Sequence, residues 1–528
     1  MSSDKQAKNM SYIHQILDLH QQAVEQMDSS NPIEALNATR KIQSLGSDYF
    51  IAYTVSGLLI DIGSVLSDEV LIKEGITLLQ NNFKEIISKE KLTPTAYYNL
   101  ANGFYCLFGV KRGKNPSYGY FEDTELDQAK ELFRKALEHK IDNQELLSQI
   151  YVNLGNCYDE VGRAVEAQDC YNEALRFNPE HGMALGNKGQ CLFFYAELSD
   201  EHQGTILSEA YALLSEAIEK GVTPQATTTF SDYLKRIRQL TKNKEILEKK
   251  FEYPGYKIQA ENNFEKFLIE FCLEHKLYLN TCNFCQKCDA AIGDTAIIRK
   301  MKMIAKPNDD SFLLLSSYLN HLKQEYSTAR FLLILSQYKE VNLDFVDKNV
   351  KLINTLDYTR HNIYIQLIKE AFKSFYNPLD KIACLINDYL KLGIAKTKVD
   401  FRRVWYSDWE KRSIRESIKN NKNPALNALF DIHKDFENGA YVTLRKSRNA
   451  LTHRFLNVRV KLEKEDEENM TEKTLFVKTA ELAKIVRSAI IYSLFFIYLS
   501  ENVKEKNAKG VMLPLFMNEL PDSLRRRV

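Results

Sequence analysis

Apolar residues recur at three-to-four spacing along most of the chain, a pattern that predicts helices and leaves little for strands. In the first half the stripes come in pairs. Ile13–Leu45 and Ile51–Ile87 each hold two, Tyr98–Phe104 is answered by Ala129–Ala136, and Gly182–Ala196 by Ala210–Gly221. After a turn signal at Tyr253-Pro254-Gly255, a helix over Ala260–His275 sets Phe264, Phe267, Leu268, Phe271 and Cys272 on one face. From Asp310 onward the spacing predicts helices over Phe312–Tyr338, Ile363–Phe375 and Leu379–Leu392, with a break at Tyr376-Asn377-Pro378. A further helix starts at Asn423 with Pro424 at its head, and another covers Leu444–Arg454. A charged segment, Lys461–Lys478, then leads into a last strong helix, Ala480–Ser500. The expected fold is all-α: a helical-hairpin repeat array over 1–245, a helical connecting segment over 246–309, a bundle of about five helices over 310–510, and a tail over 511–528.

One repeat is sharper than the others. In YVNLGNCYDEVGRAVEAQDCYNEALRFNPEH, Leu154, Gly155 and Tyr158 fall on a first helix, Ala167, Tyr171 and Ala174 on a second, and Pro179 stops it. Small Gly155 and Ala167 permit close helix approach, and the tyrosines fill the space between pairs. This stretch resembles the tetratricopeptide repeat, and its neighbours look like degraded copies forming four or five pairs. The resemblance implies a solenoid whose concave face receives a peptide or protein.

Composition narrows the class without naming a function. With 20 glycines and 11 prolines in 528 residues, the chain has about half the usual share of roughly 12%, which favours long helices over tight turns. Charges nearly cancel at +1, so any nucleic-acid site has to be local. Nine cysteines and a start without an apolar core region suggest neither a disulfide framework nor a signal peptide, and a reducing cytoplasm is expected. The run Ile490–Leu499 is shorter than the roughly 20 residues a bilayer span needs, so no membrane role is expected. Cys282, Cys285 and Cys288, with Cys272 or His275 upstream, have the residue types of a zinc site. Such sites normally join two separate knuckles, so no metal or other cofactor is expected here.

Arg448, Asn449 and His453 carry the most chemistry. Asn449 and His453 are four apart and share a helix face, where their side chains can hydrogen-bond; Arg445 extends that stripe. Arg448 is turned aside, yet a guanidinium can reach a phosphate held beside the imidazole. An imidazole moves protons near neutrality, and a fixed cation stabilises charge on phosphorus. Nearby Arg402, Arg403, Lys411, Arg412, Arg415, Lys446 and Arg454 could add phosphate contacts, although interspersed acids dilute them. Spacing alone is weak evidence, because Arg134/His139 and Arg176/His181 match it too.

The order of YSTAR (Tyr326–Arg330), LDKIACLINDYLKL, KVDFRRVWY (Lys398–Tyr406) and RNALTHRF (Arg448–Phe455) resembles the HEPN superfamily, in a bacterial group that joins it to tetratricopeptide repeats. The resemblance implies a homodimeric, metal-independent endoribonuclease with Arg448, Asn449 and His453 as its catalytic motif, acting on RNA as a toxin or antiphage effector. The alternative is a nucleotide- or protein-binding adaptor in which the bundle only dimerises. No second catalytic carboxylate is assigned: Glu370, Asp380 and Asp388 lie on the relevant helices, with Asp380 expected to cap or pair. Tyr326 and Arg330 are expected to pack or form an ion pair at least as readily as to touch substrate.

Overall fold

The computed structural model describes residues 2–116, 121, 124–198, 202–241, 247, 255, 257–282, 291–298, 302–304, 311–507, 512–514 and 519–525. It divides into two units, Met1–Phe251 and Glu252–Val528. The first is built of α1 (Ser2–Asp28), α2 (Pro32–Ser44), α3 (Tyr49–Leu66), α4 (Glu69–Ile87), α5 (Thr93–Lys114) and α6 (Glu125–Leu137). It continues through α7 (Gln144–Glu160), α8 (Ala164–Phe177), α9 (Gly182–Ala196), α10 (Gln203–Glu219) and α11 (Pro224–Leu240).

Five antiparallel pairs, α1–α2 through α9–α10, are followed by the single helix α11, and the odd-numbered helices of successive pairs also touch one another as an inner layer. Local chemistry sets the starts: the Asp48, Asp68 and Asn143 side chains accept N–H bonds from the first turns of α3, α4 and α7. Helix α5 runs on to Lys114, and near its end Lys111 pairs with Glu125 and Arg112 with Glu160. Gly155 sits where a methyl would lie 2.7 Å from the Tyr171 ring and 3.2 Å from Cys170 Cβ.

The second unit contains α12 (Asn263–Glu274), α13 (Ser311–Gln337), α14 (Ile363–Tyr389), α15 (Pro424–Glu437), α16 (Val442–His453) and α17 (Glu472–Asn507). Two expectations need correction. The break at Pro378 is absent: α14 runs through it, because Phe375, Tyr376, Leu379 and Ile382 on both sides are buried against neighbouring helices, and this packing outweighs the lost N–H bond. The last helix begins at Glu472 rather than Ala480, and takes in the end of the charged segment. Both α3 and the stretch Glu472–Lys504 are long and apolar enough to cross a bilayer, and the apolar window of the second is 83% buried inside the protein. Asn423 caps α15 and also donates to the Phe496 carbonyl at 2.9 Å, tying α15 to α17.

Two arginines fasten the connecting segment to this bundle. Arg330 makes paired bonds to Asp294 at 2.8 and 2.7 Å and donates to the Leu277 carbonyl, while Arg487 donates to the Tyr278 carbonyl at 2.6 Å. Burial pushes the Asp294 carboxyl up, but the Arg330 bonds and charge with the Leu279 N–H outweigh it and hold the group below its ordinary value. Tyr326 is fully buried and donates to the Ala483 carbonyl. The YSTAR residues therefore hold the fold together, as an internal packing role requires. Short strands complete the unit: antiparallel 302–304 with 512–514 and Tyr406–Asp408 with Ser413–Ile414, and parallel 457–458 with 469–470.

His433 on α15 lies in an aromatic box of Phe401, Trp405, Tyr406 and Phe430, its Nε2 3.1 Å from the Tyr406 hydroxyl. Burial pushes its imidazole down to about 3, against the pull of Glu437.

Two predictions follow from this packing. Gly155→Ala should destabilise the repeat unit by about 1–3 kcal/mol, since the enclosed Tyr171 ring cannot yield, despite the helix-favouring methyl; a urea midpoint equal to or above wild type would refute it. The folded state keeps His433 neutral while the unfolded chain protonates it near 6.5. Its contribution is therefore complete above that pH and is lost as the pH falls toward 3. His433→Phe should flatten the fall in melting temperature between pH 6.5 and 4, and an unchanged slope would contradict the assignment.

Candidate active site

The three predicted residues lie together on α16, a helix that closes on His453 itself. Its apolar stripe, Leu444 and Ala450, faces the core, which leaves Asn449 and His453 exposed and Arg448 half-buried. Among the described residues His453 has no hydrogen-bond partner. The bond that the spacing allows from Asn449 is not formed; Asn449 Oδ1 instead accepts from Arg448 Nη1 at 3.4 Å. Helical spacing allowed the contact, but the terminal position of His453 leaves its ring free to turn outward into solvent.

Arg448 stands over the Tyr376 ring on α14, 5.1 Å from its centroid, and makes no ion pair among the described residues. The Tyr376 phenol is pushed up to about 12 by burial and the Asp380 charge, against the fields of Arg448, Arg445 and Arg402. Asp380 caps the following loop: it accepts the Phe401 N–H at 3.0 Å. Burial raises its carboxyl above the ordinary range, opposed by that N–H and, more weakly, by Arg448. Glu370 pairs with Lys373, and Asp388 accepts from Tyr318 at 2.7 Å, so neither is directed to the motif.

The surrounding basic residues are differently placed from the expectation of free phosphate ligands. Arg402, Arg412 and Arg445 converge on buried Glu437. Arg403 faces Asp400, Lys411 faces Asp408, Lys446 faces Glu467 and Arg454 faces Glu468. Arg415 donates to the Val404 carbonyl. Arg412 also lies flat on Trp409, 3.6 Å from the ring centroid, with Arg402 at 5.1 Å. This arginine–tryptophan cluster was not recognised as a site feature in the sequence; the only local signal was the aromatic and basic density of FRRVWYSDWEKR. The outer pairs are exposed and individually worth little, so an external anion can compete for them.

The two other matches to the spacing have partners within the repeat unit. Arg134 donates to the Tyr158 hydroxyl at 2.7 Å and His139 stacks on Tyr97; Arg176 pairs with Glu173, and His181 Nδ1 lies 2.6 Å from Ser148 Oγ. Of the cysteine cluster, Cys285 and Cys288 lie outside the described residues, while Cys282 and Cys272 are buried. Among the described residues no group of three or more His, Cys, Asp or Glu side chains is arranged to hold a metal ion.

Comparison with known families agrees with the two-part organisation. Residues 308–500 match the family described as LA2681-like HEPN, and residues 148–181 match the tetratricopeptide repeat. No curated protein matches the chain. HEPN domains are associated with ribonuclease activity or nucleotide binding, and tetratricopeptide repeats with protein interaction. The chain therefore carries a tetratricopeptide repeat within its first unit and an LA2681-like HEPN domain in its second.

Proposed function

We propose that the second unit is a metal-independent endoribonuclease. The observation that carries this reading is the contrast on and around α16: Arg448 keeps a guanidinium without an ion pair among the described residues, half-open to solvent and on the same helix as exposed His453, while Arg402, Arg412 and Arg445 are held by Glu437. A guanidinium without a protein counter-charge is ready for a phosphodiester. His453 takes the proton from the ribose 2′-hydroxyl, whose oxygen attacks the adjacent phosphorus. The P–O5′ bond breaks, a proton passes to the departing 5′ oxygen, and a 2′,3′-cyclic phosphate and a 5′-hydroxyl remain. Arg448 stabilises the added negative charge on phosphorus, and Asn449 orients the guanidinium it already touches. The partner copy of the motif supplies the second proton-transfer group.

In this reading the enzyme works in the cytoplasm as a toxin or antiphage effector, and residues 10–245 receive the protein or peptide that releases it. A second reading, a nucleotide-binding or adaptor module, draws on the missing Asn449–His453 bond, which leaves His453 without a protein group to fix its tautomer.

Cleavage of total RNA and tRNA in EDTA separates the two readings. Wild type should leave cyclic-phosphate ends, and Arg448→Ala and His453→Ala should each lower the rate by about 100-fold or more. Equal cleavage by both variants would remove the motif from the mechanism. Nucleotide binding by wild type, with no RNA product even after the repeat unit has been engaged by its partner, would favour the binding module.

A further inference from the structure

Between α13 and α14 the chain makes a long excursion, residues 338–362, in which most side chains, apolar and polar alike, are exposed. Some of its polar groups bond within the excursion or to the segments at its ends. Asp347 accepts the Ile363 N–H, the Tyr364 hydroxyl accepts the Leu343 N–H, and Asp357 accepts from Thr355 and Thr359 and pairs with Arg459. Its apolar side chains point outward: Phe345 is 70% exposed, Ile353 88%, Leu356 81% and Tyr358 77%, with Val350 and Leu352 also exposed. Leu356 and Tyr358 hold φ values of 60° and 59°, a region bulky side chains rarely adopt, and each carries its side chain into water.

The excursion is stitched to the chain that leaves the motif helix. Arg360 N–H donates to the Val458 carbonyl at 2.7 Å and Val460 N–H to the Tyr358 carbonyl at 3.2 Å, while Phe455, two residues beyond His453, is 82% exposed. Soluble chains rarely leave apolar patches of more than a few hundred Å² uncovered. These side chains together present on the order of 1,000 Å², near the roughly 800 Å² per partner of a standard interface.

We propose that this arm, residues 341–360 with Phe455, is the face on which a second copy of the chain docks. The dimer itself belongs to the functional reading above; the inference concerns which surface makes it, and it rests on that reading only in naming His453 as the group brought across. Charge selects the occupant. Asp344, Asp347 and Asp357 cancel Lys348, Lys351 and Arg360, so the patch is neutral and suits its own symmetric copy, whereas RNA or an anionic membrane would call for net positive charge. The arm is also held in shape by its own hydrogen bonds, the Asp357–Arg459 pair and the backbone bonds to Val458 and Val460 before any partner arrives, which lowers the ordering cost of association. Because it adjoins the exit from α16, an axis through this face brings the second copy to the end of the helix that carries His453.

The test is the molar mass of full-length protein by sedimentation and light scattering at tens of micromolar, for wild type and for Ile353→Asp combined with Leu356→Asp. Both side chains are exposed, and aspartate tolerates the left-handed conformation at 356, so the variant should keep its melting temperature. Wild type should run as a dimer and the variant as a monomer, with a dimer dissociation constant raised by about 100-fold. Should the double aspartate fail to fold, Phe455→Ser with Ile353→Ser gives the same comparison. A monomeric wild type, an unaltered dimer in a folded variant, or a monomer that instead binds phosphatidylcholine vesicles would each overturn the proposal. Mass is independent of RNA cleavage, so an inactive dimer disrupted by these substitutions would leave this interface standing and count against the nuclease alone.

Discussion

A single buried carboxylate organises the face that carries the motif. Glu437, at the end of α15, has a side chain 6% exposed and cannot remain charged there without cations. It draws Arg402 and Arg412 from the loop and hairpin between α14 and α15, and Arg445 from the first turns of α16. Burial pushes the Glu437 carboxyl up, and the Arg402 bond and charge, with weaker help from Arg445, bring it below its ordinary value. Three separate segments are thereby fixed about one point. Arg445 adds bonds to the Phe436 and Glu437 carbonyls, using the end of α15 to seat the beginning of α16.

The chemistry follows from what Glu437 leaves over. Arg448, one helical turn beyond Arg445, finds an aromatic ring below it instead of a carboxylate, and Asp380, whose carboxyl feels its charge, is occupied with the Phe401 N–H. A cation over a ring keeps its ability to bind an anion, because the ring carries no net charge to neutralise it. Identical spacing elsewhere has a different setting. In the repeat unit, Arg134/His139 and Arg176/His181 meet tyrosine hydroxyls, carboxylates, serine and aromatic rings that satisfy them as parts of helix packing.

Much of the architecture could be read from local pattern, since a helix is specified by residues three and four apart and its ends by capping groups within one turn. The paired stripes of the first half became paired helices, Asn423 and Pro424 opened α15, and Leu444–Arg454 became α16 to within two residues. Pattern failed where packing opposed it. Pro378 reads as a stop, yet the apolar residues on both sides of it are buried in one continuous helix. The charged residues before Ala480 read as loop, but the apolar stripe resumes early enough to pull them into α17.

The sequence by itself determined the helical class, the repeat, and the presence of Arg448, Asn449 and His453 on one helix, because each depends on neighbours along the chain. Only the tertiary structure decided which cations are neutralised, that Asn449 turns to Arg448 and away from His453, and that the residues after α13 carry their apolar side chains outward. Those outcomes depend on groups distant in sequence: Glu437 lies 35 residues from Arg402, and Asp357 meets Arg459 from another segment altogether. Electrostatic pairing and burial act through space, so no spacing rule along the chain can anticipate them.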